Sequence, residues 1–173
     1  MAAAKYMERM IRGMKEKILS VIEKNSKISV EDLAVILGEK EEDVAQAIYE
    51  MERDKTICGY HTIINWGNTS VDKVVALIEV RVTPQRGQGF DKIAERIYNF
   101  SEVDTVYLIS GGFDLMVILE GKSLQEVAHF VSSKLATMES ILSTATHFVL
   151  KKYKDHGTIM IPETKKERML ITP

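Results

Sequence analysis

The sequence predicts an α+β fold in two parts, a small N-terminal cluster of helices followed by a larger unit that alternates strands and helices. Three observations carry this expectation. Apolar residues recur at helical spacing through the first fifty or so positions, alternating strand patterns begin at Val74, and Val103 to Gly121 (VDTVYLISGGFDLMVILEG) reads as two β runs joined by a glycine pair. Glycine accepts the positive φ of a tight turn, so Val103 to Ser110 and Phe113 to Glu120 are expected to pair as adjacent antiparallel strands around Gly111-Gly112. In the second run both alternating sets are apolar, Leu115, Val117 and Leu119 on one and Met116 and Ile118 on the other. The hairpin is therefore placed mid-sheet and covered on both sides.

Composition narrows the class. The chain has 173 residues, 45% of them hydrophobic, which suits one generous domain or two small ones. No apolar run reaches about 18 residues, and Lys5, Glu8, Arg9 and Arg12 interrupt the start, so a cytoplasmic location is expected. Cys58 is the only cysteine, which rules out an intrachain disulfide. A formal net charge of −2 exerts no global attraction for nucleic acid or anionic membrane, so such contacts need local asymmetry.

Residues 1–13 are read as an N-terminal extension, frayed or helical, ending at Gly13. Ile18, Val21 and Ile22 then share a helical face that Asn25-Ser26 closes. Ser29 and Asp32 form an N-terminal cap signal ahead of the stripe Val30, Leu33, Ala34 and Leu37, and Gly38 supplies a left-handed stop. A third helix carries Val44, Ala47, Ile48 and Met51 and leads into Thr56 to Trp66, read as a strand pair or wing. Each short helix buries only one stripe, so the three pack together. With the wing they make a winged helix-turn-helix over residues 14–64, joined by a polar linker at 65–72.

Val74 to Val82 alternates as a strand, and Phe90, Ile93, Ala94 and Ile97 mark a helix. After the hairpin, a capping box at Ser123 to Glu126 opens a helix with Leu124, Val127, Ala128, Val131 and Leu135 inward, and Ile141 to Leu150 supplies the last strand. The order βαββαβ over residues 73–153 is ferredoxin-like, an antiparallel sheet with both helices on one face, followed by a C-terminal tail at 154–173. The other face keeps Val75, Leu77 and part of the hairpin, which predicts a homodimer joined sheet to sheet.

Taken together, these parts resemble the Lrp/AsnC (feast/famine) family of transcriptional regulators. The resemblance covers roughly Met14 to Tyr153 and rests on LAVILG at 33–38, Ile57-Cys58-Gly59-Tyr60 entering the wing, the βαββαβ half, and the Ser110-Gly111-Gly112-Phe113-Asp114 turn. That turn looks like the family's G-x-Y/F-D element, and the tail from Lys151 is similar to the extension of Gram-positive members. The resemblance implies an amino-acid-responsive regulator that binds double-stranded DNA, assembles as dimers or octamers through its RAM-type C-terminal domains, and holds a small effector, an amino acid, between them. No other cofactor is expected.

The third helix departs from the family pattern. Glu42, Gln46, Tyr49, Glu50 and Arg53 project outward, and Glu41 to Asp54 holds six acids (Glu41, Glu42, Asp43, Glu50, Glu52 and Asp54) against Arg53 alone, a formal −5. Readers of duplex DNA normally neutralise phosphates with Lys and Arg. Compensation is expected from Lys40, from Lys55 and His61 in the wing, or from Lys5, Arg9, Arg12, Lys15 and Lys17; Gln46 and Glu50 are suited to base edges. The charge also supports a rival, an effector-sensing or partner-binding module that has lost DNA binding.

For the effector, Asp114 is placed to meet an ammonium while the N–H groups of Gly111, Gly112 and Phe113 meet a carboxylate; the plainer alternative is that Asp114 caps the hairpin. Tyr107 with Thr144 or Thr146 would complete the pocket. The loop Pro84 to Gly89, with Arg86 a candidate anion contact, lacks the lysine and hydroxyl of a P-loop and is read as a connection. His61, His129, His147 and His156 are spaced too widely for a metal motif, and no G-x-S-x-G is present. A sirohaem-decarboxylase-like enzyme shares the two-part architecture but needs clustered histidines, so no enzyme is expected.

Overall fold

The computed structural model describes residues 2–83 and 89–161, with side chains from Met10 onward. Pro84 to Gln88, including Arg86, and the end of the tail from Pro162 lie outside the described residues. Contacts divide the chain into two units, Met1–Thr62 and Ile63–Pro173.

The first unit holds α1 (Ala2–Ile22), α2 (Val30–Leu37) and α3 (Glu41–Arg53). Its core is Ile18, Leu33, Ala34, Val44, Ala47, Met51 and Ile57. The N-terminal extension, for which a frayed or a helical form was open, is helical and continues through Gly13 into α1 without a break. The Ala, Lys, Met, Glu and Arg that precede Gly13 are strong helix formers, and one internal glycine costs only about 1 kcal/mol. Ser29 caps α2, its hydroxyl accepting from the Asp32 N–H at 3.0 Å, and Gly38 ends it in the left-handed region at φ 68°.

The wing does not form strands. Residues 57–65 carry no ladder, and Ile57 alone anchors the segment in the core while Tyr60, Ile63 and Ile64 stay exposed. Two strands cut from so short a stretch would share too few hydrogen bonds to hold without a packed face. The expected linker is also partly structured: Trp66–Asn68 forms a 3₁₀ turn within the second unit, and Asn65 Nδ2 donates to the Met160 carbonyl at 2.7 Å.

In the second unit, β1 (Val74–Val82), β2 (Val103–Leu108), β3 (Leu115–Gly121) and β4 (Ile141–Phe148) form an antiparallel sheet in the order β2-β3-β1-β4. Strand β2 is thus an edge, and only β3 of the hairpin is central. Helices α4 (Asp91–Tyr98) and α5 (Leu124–Phe130) cover one face, where Ile93, Ile97, Val127, Phe130 and Leu135 pack on Ala76, Ile78, Val80, Leu115, Val117 and Leu119. After Phe130 the helix widens into a π turn, Val131–Leu135, with the Ala136 N–H bonded to the Val131 carbonyl. That widening lets Phe130 and Leu135 both face the sheet, whereas Leu124 and Ala128, expected inward, are exposed. A small hairpin, β5 (Lys154–Asp155) and β6 (Thr158–Ile159), turns at His156-Gly157 with both residues at positive φ.

The opposite face carries Val75, Leu77, Met116 and Ile118, all half-buried, with Tyr107 exposed. Glu79 and His147 pair across it at 3.2 Å.

Candidate functional site

The candidate site residues fall on two surfaces, one in each unit. The first is the β2–β3 turn. Gly111 and Gly112 are not in the left-handed region, so the expected tight glycine turn is replaced by a wider loop. Leu108 and Leu115 are the last facing pair, and the Ile109 N–H bonds to the Asp114 carbonyl at 2.8 Å. Asp114 ties this loop to β1 twice: its N–H donates to the Val80 carbonyl at 3.1 Å, and its Oδ2 accepts from the Val82 N–H at 2.8 Å. The Asp114 side chain therefore does not cap the β2–β3 hairpin, as the plainer alternative had it, but bonds to the neighbouring strand β1. Arg81 Nε adds a third tie, donating to the Gly112 carbonyl at 3.0 Å.

Gly111 and Gly112 are exposed, Phe113 and Asp114 half-buried. Tyr107 faces Met116 on the open side of the sheet, whereas Thr144 and Thr146 face Val80 and Ile78 on the helix-covered side. The two threonines and Tyr107 therefore do not meet in one pocket. The period-two pattern of β4 alone does not reveal this, because its pairing with β1 decides which set faces the helices.

The second surface is the exposed face of α3. Glu42, Gln46, Tyr49 and Arg53 are exposed on it, Lys40 precedes it as N-cap, and Lys55 and His61 are exposed beyond it. Most of its acidity has an intramolecular explanation. Glu41, Glu42 and Asp43 occupy the first turn, where the helix dipole favours negative charge. Lys15 of α1 donates to Glu50 at 2.8 Å and Gln46 donates to the same carboxylate at 3.1 Å. Those bonds, that of Lys15 first, hold the Glu50 carboxyl below its ordinary pKa. Tyr60 donates to Glu52 at 2.8 Å; burial and then Glu52 push its phenol up. Asp54 Oδ1 accepts from the Thr56 N–H at 2.9 Å, which with Glu52 closes the helix end around Lys55 at φ 66°. Lys15, counted above among compensating cations, is thus engaged within the unit, and Arg12 lies 3.5 Å from Glu16.

At the end of the sheet opposite Asp114, a groove of about 380 Å³ opens between Trp66, Val75, Val149 and Met160. Lysines line it, but Lys73 is held by Glu120 at 2.6 Å and lies over the Trp66 ring, and Lys152 is held by Asp155. Among the described residues no three His, Cys, Asp or Glu side chains gather as metal ligands, and no helix is long and apolar enough to cross a membrane.

The Lrp/AsnC ligand binding domain matches residues 75–159, the unit that carries the turn. An uncharacterized HTH-type transcriptional regulator of Bacillus subtilis, YugG, is 42% identical over 158 residues, 91% of this chain and 95% of the relative. A leucine-responsive regulatory protein of Haemophilus influenzae is 23% identical over 84% of this chain and 87% of its own. In fold, the chain is similar to a transcriptional regulator of Neisseria meningitidis solved in complex with L-Met, with a TM-score of 0.66 at 17% identity, covering 84% of this chain and 94% of that one. The match spans both the helical unit and the sheet, and the chain belongs to the Lrp/AsnC family of transcriptional regulators.

Proposed function

We propose that the protein is an amino-acid-responsive regulator that dimerises through the open face of its sheet, binds DNA through α3 and the segment Lys55 to His61, and takes its effector at the Gly111 to Asp114 turn. The observation that carries this reading is the one-sided sheet. Its helices cover one face, while Val75, Leu77, Met116 and Ile118 crown the other. Removing such surface from water contributes about 25 cal/mol per Å², so a second copy is the natural cover. Effector binding controls DNA only to the extent that it favours one assembly over another.

The intramolecular partners of Glu50, Glu52 and Asp54 favour DNA binding over the rival reading, because the acids answer to the fold rather than to a basic protein partner. Few cations remain on the exposed face of α3, so affinity should depend weakly on salt for a DNA reader. The leucine-responsive relative and the L-Met complex make apolar L-amino acids the first effectors to test.

The test is fluorescence anisotropy of a labelled duplex from the gene's own upstream region, at two salt concentrations, with and without each L-amino acid. Binding that survives unrelated competitor DNA and changes with one amino acid is the expected result. Absence of binding at low salt would refute DNA recognition and leave the partner-binding reading.

A further inference from the structure

We infer that Glu50, held by Lys15, orients the Gln46 amide to read an adenine in the major groove. The inference rests on the DNA-binding reading above and adds to it a base and a residue that acts through another. Gln46 is exposed on α3 one turn before Glu50, whereas the Glu50 and Lys15 side chains are half-buried, at 35% and 25% exposure. Glu50 divides its carboxylate between two donors: Oε2 accepts from Lys15 Nζ at 2.8 Å, and Oε1 accepts from Gln46 Nε2 at 3.1 Å. A base edge would have to compete with both for Glu50. Its place is behind Gln46.

Those bonds fix which way the Gln46 amide faces. An ionised carboxylate only accepts, so the NH2 group of Gln46 points to Glu50, and its second N–H and its Oε1 remain. Adenine shows the N7 acceptor beside the N6 amino donor in the major groove, and an amide answers the pair with one N–H and one oxygen. The bond to Glu50 is the only one the Gln46 side chain makes among the described residues. Holding a flexible glutamine in one rotamer before contact lowers the ordering cost of binding. Lys15 also offsets a carboxylate that would otherwise repel the phosphates beside that base. A glutamine and a glutamate four residues apart can equally do no more than steady a helix. The two roles differ in their effect on base preference.

Selection of duplexes from a random pool by the full chain gives its preferred sequence. That duplex and copies in which each A·T pair is changed in turn to G·C are then compared by fluorescence anisotropy on wild type, Gln46→Ala, Glu50→Ala and Glu50→Gln. Wild type should prefer A·T at one position of the site about tenfold or more, the scale of one good bidentate pair. Gln46→Ala should abolish the preference there and keep the others. Glu50→Ala should reduce the same preference several-fold while raising affinity for every duplex, because it removes a negative charge and releases Lys15 to phosphate. Glu50→Gln keeps an acceptor oxygen and should retain part of the preference. Each result is a ratio of two duplexes on one protein, so a loss of folded protein lowers both affinities and leaves the ratio unchanged. If Glu50 only steadies α3, Glu50→Ala alters all duplexes alike and keeps the preference. That result, or a Gln46→Ala protein with the base preferences of wild type, overturns the inference. Wild type that enriches no sequence overturns the DNA-binding reading itself, and the assignment of Gln46 and Glu50 falls with it.

Discussion

The helical unit gives three acids at the end of α3 partners of its own, whereas among the described residues the sheet unit carries a row of half-buried apolar side chains on the face away from its helices. In the first, Glu50, Glu52 and Asp54 each meet a donor inside the unit. In the second, Ile78 and Leu77 are neighbours in β1, yet Ile78 is fully buried and Leu77 only partly so. An unusual charge pattern therefore need not point outward to a partner, while an ordinary apolar alternation can. Electrostatic pairs are completed locally by one long side chain, but a sheet face needs a whole layer to cover it.

The largest effects should separate the two faces of the sheet. Ile78→Ala should cost about 2–5 kcal/mol in chemical denaturation, because it opens a cavity under α4 and α5. Leu77→Asp should leave the fold intact and shift the chain from dimer to monomer in sedimentation equilibrium. A Leu77→Asp protein that remains dimeric would remove the open face as the interface.

The Asp114 ties are next. Asp114→Ala leaves the Val82 N–H without its acceptor and should cost about 1–3 kcal/mol, measured by the denaturation midpoint. Ser29→Ala removes the α2 cap and should cost about 1 kcal/mol by the same measurement.

The smallest effect tests the charge argument in the helical unit. Glu50 has a lowered pKa when folded, so its contribution is present at neutral pH and is lost as pH falls from the ordinary carboxylate range through the lowered value. The stability gap between wild type and Glu50→Gln should therefore narrow on acidification in that window. A gap independent of pH would mean that Lys15 contributes nothing through Glu50.

Signals carried within a few residues were legible. The Ser29 and Ser123 caps, the Gly38 stop and the core stripe of α3 all stand where periodicity and capping chemistry place them. Features that depend on distant partners were not. The Lys15–Glu50 bond spans 35 positions and the Arg81–Gly112 bond 31, and no local pattern announces either. The wing expected over Thr56 to Trp66 shows the converse: the segment carries no strand, and only Ile57 of it is buried. Asp114 was legible as a candidate because aspartate after glycines has few other uses, yet its partner Val82 belongs to another strand.

By itself, the sequence determined the α+β class, the capped starts of α2 and α5, the Gly38 stop, and the βαββαβ order, because caps and side-chain periodicity act over one or two turns of chain. Only the tertiary structure decided that β2 is an edge, that Tyr107 and Thr146 lie on opposite faces, and that Arg81 joins Asp114 at one turn. Those outcomes follow from strand register and from packing between distant segments, where a shift of one residue reverses every side chain and leaves the local pattern unchanged.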